Sequence, residues 1–315
     1  MDIQQLYVER FNPDEEYLGT IKEVNQIEPL VSVCTTTYQH ADYIEDCIEG
    51  ILMQKTDFPI EIIVGEDEST DGTRRICKKY ASEHPDKIRL FLRDRNTSSV
   101  FDENGKRVFG FNGKWLRKSA RGKYIAMCEG DDYWTDPLKL QKQVEFMEAN
   151  PEVVLTYHRH ENEDSDGKFI DYRDKPLPCT LMFINDFSDM PPMNICPNGD
   201  RLLLTFFSLK GSFKYLEDIA PSVRRHHEGG LMSMVSEEEK LDRQVRTWSS
   251  IYEAFKDTKI SEKLRAKKDM FIYRQMLYSW QAGDEKLVNI LSYPLQAKSL
   301  KLYKHFIRNR KLSDK

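Results

Sequence analysis

Apolar and polar positions along the first half of the chain repeat with periods that assign its elements. From Leu30 to Thr36 the run LVSVCTT is rich in β-branched residues and predicts a buried strand. Between Asp42 and Gln54, the residues Ile44, Cys47, Ile48, Ile51 and Leu52 recur on one helical face, with Asp42 placed to cap. Ile60 to Val64 reads as a second strand, and Gly72 and Thr73 open a helix through about Ser82 that buries Ile76, Cys77 and Tyr80. Lys87 to Leu92 alternates as a third strand, and Asn104-Gly105 between SVFDE and KRVF predicts a hairpin. A short helical piece from Lys114 to Ala120 leads to another buried strand, Tyr124 to Cys128. A helix begins near Asp136 and Pro137 and runs from Leu138 to Ala149, followed by a strand from Val153 to Tyr157. An acidic hairpin at Asp166-Gly167 and a buried stretch, PLPCTLMFI at 176–184, come next. This alternation predicts an α/β fold: a mostly parallel sheet covered by helices on both faces. From about Met234 strand signals cease and several helices are expected, including Lys268 to Trp280.

Length and composition narrow the class. The 315 residues divide into an N-terminal extension (1–29), a main domain (30–232) and a helical C-terminal region (233–315). With 39% hydrophobic residues, 31% charged residues and a net charge of −5, neither wholesale disorder nor a general affinity for nucleic acid is expected. No run of roughly 18 apolar residues and no basic-then-apolar leader is visible, so a soluble, cytoplasmic protein is the expectation. Six cysteines without CxxC pairing read as reduced core residues. The segment from Gln296 carries Lys298, Lys301, Lys304, Arg308, Arg310, Lys311 and Lys315 among apolar residues. It reads either as a solvated helix face or as a basic tail that touches anionic lipid.

The candidate chemistry gathers around RGKYIAMCEGDDYWTDPLKLQKQ, Arg121 to Gln143. Its buried strand ends on Glu129, Gly130, Asp131 and Asp132, three carboxylates that repel one another unless a cation or bound protons relieve them. Hard oxygen ligands of this kind suit Mg²⁺ or Mn²⁺, whereas a solvated acidic loop is the plainer alternative. Thr37-Tyr38 and Glu66-Asp67 also follow predicted strands directly, so three polar clusters share the carboxyl edge, where open α/β sheets bind ligands. Taken singly, Tyr38 could be a packed loop aromatic, and Asp67 a helix cap with Ser69 and Asp71. Asp200 opens the apolar run LLLTFF, where an acid is commonly a cap. Residues 222–230, SVRRHHEGG, are not a zinc-protease helix, because HExxH needs a second histidine where Leu231 stands. Arg225, His227 and the two glycines could instead form a loop that approaches phosphates or a metal.

Together, VSVCTTTYQHADYIEDCIEGILMQ, IEIIVGEDESTDGT and ARGKYIAMCEGDDYWTDPLKLQKQ resemble the family 2 glycosyltransferases with the GT-A fold, which transfer a sugar from a nucleotide donor with inversion. GDRLLL and VRRHHEGG are similar to later segments of a bacterial subgroup, so the resemblance covers residues about 30 to 230. It implies a nucleotide-binding sheet with a helical C-terminal appendage, a nucleotide-sugar donor with UDP as the expected carrier, a glycan or lipid-linked acceptor, and Mn²⁺ or Mg²⁺ as cofactor. It further implies that Thr37 and Tyr38 contact the donor's base or ribose and that Asp67 bonds the base. Glu129 and Asp131 become the acids of the DxD element, with Asp131 the direct metal ligand and Asp132 close by. Asp200 becomes the general base, His227 a metal or diphosphate contact, and Arg225 its neighbour. Glu129 stands where Asp is usual, and Asp200 follows Gly199 where many members carry a second acid. A catalytically weak nucleotide- or carbohydrate-binding protein on the same fold is the alternative. A nucleotidyltransferase lacks support, since no GxGxxG occurs.

Overall fold

The computed structural model describes residues 3–11, 23–101, 103, 105, 107–192, 196–227 and 235–281. They fall into two compact units, Met1–Met190 with Lys210–Ser233, and Pro191–Leu209 with Met234–Lys315. Residues 191–209 thus group with the helical C-terminal region, on the far side of the division expected at 232/233.

The first unit opens with α1 (Ile3–Glu9), then β1 (Val31–Thr37), α2 (Ile44–Leu52), β2 (Ile60–Glu66), α3 (Thr73–Glu83) and β3 (Ile88–Leu92). The one-turn α4 (Arg95–Ser98) precedes a hairpin of β4 (Ser99–Phe101) and β5 (Arg107–Gly110), as Asn104-Gly105 predicts. There follow α5 (Asn112–Ser119), β6 (Tyr124–Met127), α6 (Lys139–Ala149), β7 (Val153–Tyr157), β8 (His160–Glu163), β9 (Phe169–Arg173) and β10 (Met182–Ile184). After α7 (Gly199–Lys210), which belongs to the second unit through Leu209, the chain adds β11 (Ser212–Tyr215) and β12 (Ser222–Arg225).

Seven strands form the main sheet in the order β11-β7-β10-β6-β1-β2-β3. The pairs β1–β2, β2–β3, β1–β6 and β7–β11 are parallel, and β10 alone in this sheet runs antiparallel, between β6 and β7. β1 is buried along nearly its whole length, which is why its sequence lacks alternation. On one face Val31, Val33, Ile62 and Val64 pack with Ile44, Ile48 and Ile51 of α2, Ile76 and Tyr80 of α3, and Leu140, Val144 and Met147 of α6. Glu61, a buried charge on β2, accepts from Ser32 Oγ at 2.6 Å, Arg89 Nη1 at 3.0 Å and Arg121 Nε at 2.8 Å. A buried carboxylate with this many donors stays ionised. Burial works against it, yet these bonds hold it below the ordinary glutamate value.

The N-terminal segment docks on this unit: Arg10 Nη1 donates to Asn96 O at 3.0 Å and Ser99 O at 3.1 Å, and the Phe11 and Trp115 rings meet edge to face at 6.1 Å. All six cysteines are buried and stand outside any disulfide. α2 begins at Ile44 after Tyr43, without a side-chain cap, so Asp42 does not take the capping place. His40 O accepts from the Tyr43 and Ile44 amides instead, at 3.0 and 2.9 Å. β12 is a strand where the sequence suggests a loop: it pairs with β8 and completes a small sheet, β12-β8-β9.

In the second unit, α8 (Glu237–Phe255) and α9 (Ser261–Gln281) form a helix pair. Ser236 Oγ caps α8 by accepting from Glu239 N at 3.2 Å, and Glu237, Glu238 and Glu239 complement the helix dipole. The Trp248 and Phe271 rings stack at 6.3 Å. Among the described residues no helix is long and apolar enough to cross a membrane. The basic segment from Gln296, and Glu228, Gly229 and Gly230 of the SVRRHHEGG stretch, lie outside the described residues.

Candidate active site

β1 and β6 lie side by side; the chain leaving β1 crosses to β2 and the chain leaving β6 crosses the opposite way to β7, so the two connections diverge and open a crevice at the carboxyl ends of these strands. The turns after β1, β2 and β6 meet there. Asp67 N donates to Thr37 O at 3.1 Å, and Gly130 N to Thr36 O at 2.9 Å, which ties all three turns together. Asp71 closes the outer edge: its carboxylate accepts from Thr73 N at 3.0 Å to start α3 and from Ala41 N at 2.9 Å in the first turn. Gly72 takes φ 113°, a left-handed value that suits glycine. Gln39 holds φ 55° without that freedom, and its side-chain oxygen accepts from Thr70 N at 2.7 Å. A non-glycine residue in this region stores strain that the surrounding bonds must offset.

At one end of the crevice lie Tyr38, Asp67 and Arg95. Arg95 Nη1 reaches the buried Asp67 carboxylate at 2.9 Å, and its guanidinium lies 3.4 Å over the Tyr38 ring. Ser98 Oγ donates to the other Asp67 oxygen, and Arg107 Nη2 stands 3.8 Å from the oxygen that Arg95 holds. An aromatic face, a fixed carboxylate and a stacked guanidinium offer a flat surface with hydrogen-bond acceptors at its rim.

At the other end, Glu129, Asp131 and Asp132 bring carboxylate oxygens within 4.8 Å of one another. His227 Nε2 lies 3.2 Å from Asp131 Oδ2, and His40 Nε2 lies 4.0 Å from the same oxygen. Burial opposes ionisation of Asp131, but the bond with His227 and the nearby His40 hold its carboxyl below the ordinary aspartate value. Asp132 is fully enclosed: burial first, and then the charge of Asp131, push it up to about 8, although Arg225 N donates to Oδ1 at 3.2 Å. Burial lowers the His40 value, against the opposing pull of Asp131. Two bonds of about 2.1 Å at a right angle from one ion leave their ligand atoms about 3 Å apart. The pairing at 3.2 Å and the mix of carboxylate and imidazole donors therefore fit a divalent cation.

Beside this cluster a cavity of about 180 Å³ is walled by Tyr43, Glu163, Arg225 and His227. The Arg225 side chain is engaged: Nη2 reaches Asp46 Oδ2 at 2.5 Å and Nε reaches Glu163 Oε1 at 3.2 Å, with the guanidinium 4.4 Å from the Tyr133 ring. The fold thus brings Thr37, Glu129, Asp131, Asp132, Arg225 and His227 into one neighbourhood, with Tyr38 and Asp67 along the same edge. Asp200 stands in the first turn of α7, in the second unit. Sequence reasoning missed His40, Tyr43, Arg95 and Arg107. Their only signal was position: His40 and Tyr43 trail the β1 turn, Arg95 opens the turn of helix before the β4–β5 hairpin, and Arg107 opens β5 within it.

Residues 32–100 match the profile of the family described as Glycosyl transferase family 2. TuaG of Bacillus subtilis, named for a glycosyltransferase of teichuronic acid biosynthesis, is 37% identical over 120 residues, which is 38% of this chain and 42% of TuaG. The chain spans 20% to 42% of the length of curated relatives that it matches. Among solved structures, Staphylococcus aureus TarS 1-349 in complex with UDP-GlcNAc superposes with a TM-score of 0.59 at 16% identity, covering 85% of this chain and 82% of TarS 1-349. The mannosyltransferase PcManGT from Pyrobaculum calidifontis, in complex with GDP-Man and Mn²⁺, gives a TM-score of 0.52 at 15% identity, covering 99% of this chain and 94% of that one. At these identities the likeness is one of fold.

Proposed function

Since the chain belongs to the family 2 glycosyltransferases and has their GT-A fold, we propose that it is an inverting, metal-dependent glycosyltransferase. It takes a sugar from a nucleotide-sugar donor, UDP-linked, and passes it to a glycan or lipid-linked acceptor in polysaccharide biosynthesis. The observation that carries this reading is the convergence of Asp131 and His227 at 3.2 Å, beside Glu129 and Asp132, on the edge that also presents Tyr38 and Asp67. The complexes of TarS with UDP-GlcNAc and of PcManGT with GDP-Man and Mn²⁺ support the donor class and the metal.

In this reading Tyr38 and Arg95 stack on the base, Asp67 accepts a hydrogen bond from it, and Thr37 with Glu129 faces the ribose. Asp131, Asp132 and His227 would hold Mn²⁺ or Mg²⁺. When bound, such an ion neutralises the charge that builds on the departing diphosphate, so no proton donor is required there. The acceptor hydroxyl attacks the anomeric carbon from the face opposite the diphosphate, the bond to the diphosphate oxygen breaks, and configuration inverts. Asp200 takes the hydroxyl proton as general base, a role worth about 10²–10⁴-fold in rate. The ionised state of Asp131 suits cation binding, and the raised value of the enclosed Asp132 is one that a cation would pull down.

The transferase domain is assigned to residues 30–232, a span that takes in α7 although its residues through Leu209 group with the second unit, and 233–315 form a helical appendage. The basic segment from Gln296 is read as a solvated face or, as the sharper alternative, as a peripheral contact with the inner face of the membrane, and liposome flotation decides between them. A donor panel with MnCl₂ tests the activity, read with Asp200→Ala. Transfer from at least one UDP-sugar, lost in Asp200→Ala while donor binding persists, supports the reading. Absence of both turnover and nucleotide binding across the panel contradicts it. Flotation with anionic liposomes that is unchanged when 296–315 are removed contradicts the membrane contact.

A further inference from the structure

His40 enters the site from a direction that the acidic turn does not. It follows the β1 turn, yet its Nε2 stands 4.0 Å from Asp131 Oδ2, and Asp131 Oδ2 is also the oxygen that His227 Nε2 meets at 3.2 Å. The three ligand atoms lie within 4.8 Å of one another. The His40 and His227 rings stand nearly perpendicular with centroids 5.8 Å apart, so each directs a nitrogen at Asp131 without stacking on the other.

The other His40 nitrogen is also placed. Nδ1 lies 3.3 Å from Thr37 Oγ1, a buried hydroxyl on the last residue of β1. A hydrogen bond from Nδ1–H to that oxygen leaves the Nε2 lone pair facing Asp131, the arrangement by which a neighbour fixes the tautomer of a ligating histidine. The ring is backed by Gly130: a Cβ there would come within 2.7 Å of Thr37 Oγ1 and 3.0 Å of His40 Nδ1. The missing side chain at Gly130 is what lets the acidic turn close on the Thr37–His40 pair.

We propose that His40 is a ligand of the divalent ion, completing a face of two imidazoles and one carboxylate with Asp131 and His227, and that this face makes the site select manganese and later transition-metal ions over magnesium. Mg²⁺ prefers oxygen ligands and gives up its water reluctantly, whereas affinity for imidazole nitrogen rises from Mn²⁺ towards Co²⁺ and Zn²⁺. The inference rests on the metal site proposed above and adds to it one ligand and a preference. Thr37 becomes the residue that orients His40, in addition to any contact with the donor.

The test needs no donor and no turnover. MnCl₂ is titrated into the full chain and read by the loss of free-ion EPR signal, with MgCl₂ as competitor, and CoCl₂ is followed by its visible absorption. Wild type should bind Mn²⁺ at least about tenfold more tightly than Mg²⁺, and His40→Ala should lose about 10–100-fold in Mn²⁺ affinity with a smaller change for Mg²⁺. Pulsed EPR of the wild-type Mn²⁺ complex, with and without ¹⁵N-histidine, counts imidazole nitrogens and does not depend on the variant folding. Two coupled nitrogens support the proposal. One or none, or a folded His40→Ala that keeps Mn²⁺ affinity within about twofold, overturns it while leaving metal binding at Asp131 intact. A wild type that binds Mn²⁺ no better than Asp131→Asn overturns both this inference and the metal reading on which it rests.

Discussion

Asp131 Oδ2 and His227 Nε2 meet at 3.2 Å although 96 residues separate them, one on the turn after β6 and the other just past β12. The contact depends on β12 running beside β8, and on the bridge in which Tyr133 N donates to Val223 O at 3.1 Å and Val223 N to Tyr133 O at 2.9 Å. Replacing one charged oxygen removes the anionic member of the pair. Asp131→Asn should lower kcat/KM by at least about 10³-fold with an unchanged melting temperature. Initial rates with MnCl₂ and a UDP-sugar, beside a thermal melt, check it.

Gly130 admits no side chain. Its Cβ would stand 2.7 Å from Thr37 Cβ and Oγ1. Gly130→Ala should therefore push the acidic turn off β1, costing about 1–3 kcal/mol of stability together with most of the activity. Urea unfolding and initial rates measure the two effects.

Asp67 is held by Arg95 at 2.9 Å, by Arg107 at 3.8 Å and by Ser98 Oγ. Asp67→Asn leaves two guanidinium groups facing a neutral amide and weakens the proposed bond to the base. Donor KM should rise about 10-fold or more, with a smaller change in kcat, as expected for a contact made equally in ground and transition states. Steady-state kinetics over a range of donor concentrations separate the two constants.

Lys139 is fully buried, donates to Gln143 Oε1 at 2.6 Å and lies 4.2 Å over the Trp134 ring. Burial pushes its ammonium from the ordinary 10.5 down to about 7. Between those values the unfolded chain holds a proton that the folded chain has released. Stability therefore rises with pH across that window, by at most about 1.4 kcal/mol per unit, and this contribution is level below pH 7. Lys139→Met should flatten the rise and be at least as stable as wild type near neutrality. Melting temperatures of both proteins at about pH 7.5 and pH 9.5 test this, and parallel curves would contradict it.

Elements whose signal is local were legible. β1, β2 and β6 announce themselves by β-branched, non-alternating runs, α2 and α3 by one apolar face, and the β4–β5 hairpin by Asn104-Gly105. The acidic turn stood out because three carboxylates cannot share a strand end without a cause. Contacts created only by the fold stayed hidden. PLPCTLMFI read as buried, but nothing in it says that β10 slots antiparallel between β6 and β7. SVRR looks polar because β12 belongs to a half-exposed small sheet, so it read as a loop. His40 carries no spacing relative to Asp131 or His227 that a sequence could display. The Arg225 side chain faces Asp46 and Glu163, partners that lie on α2 and β8.

The central claim is that Asp131 and its neighbours grip a sugar nucleotide through a divalent ion. Calorimetric titration of UDP-sugars and GDP-mannose into the wild-type chain, with MnCl₂ and then with EDTA, tests it most directly when repeated on Asp131→Asn. The account predicts that a UDP-linked sugar binds with manganese and at least about tenfold more weakly with EDTA or in the variant. Binding indifferent to both metal and Asp131, or no binding across the panel, would contradict it.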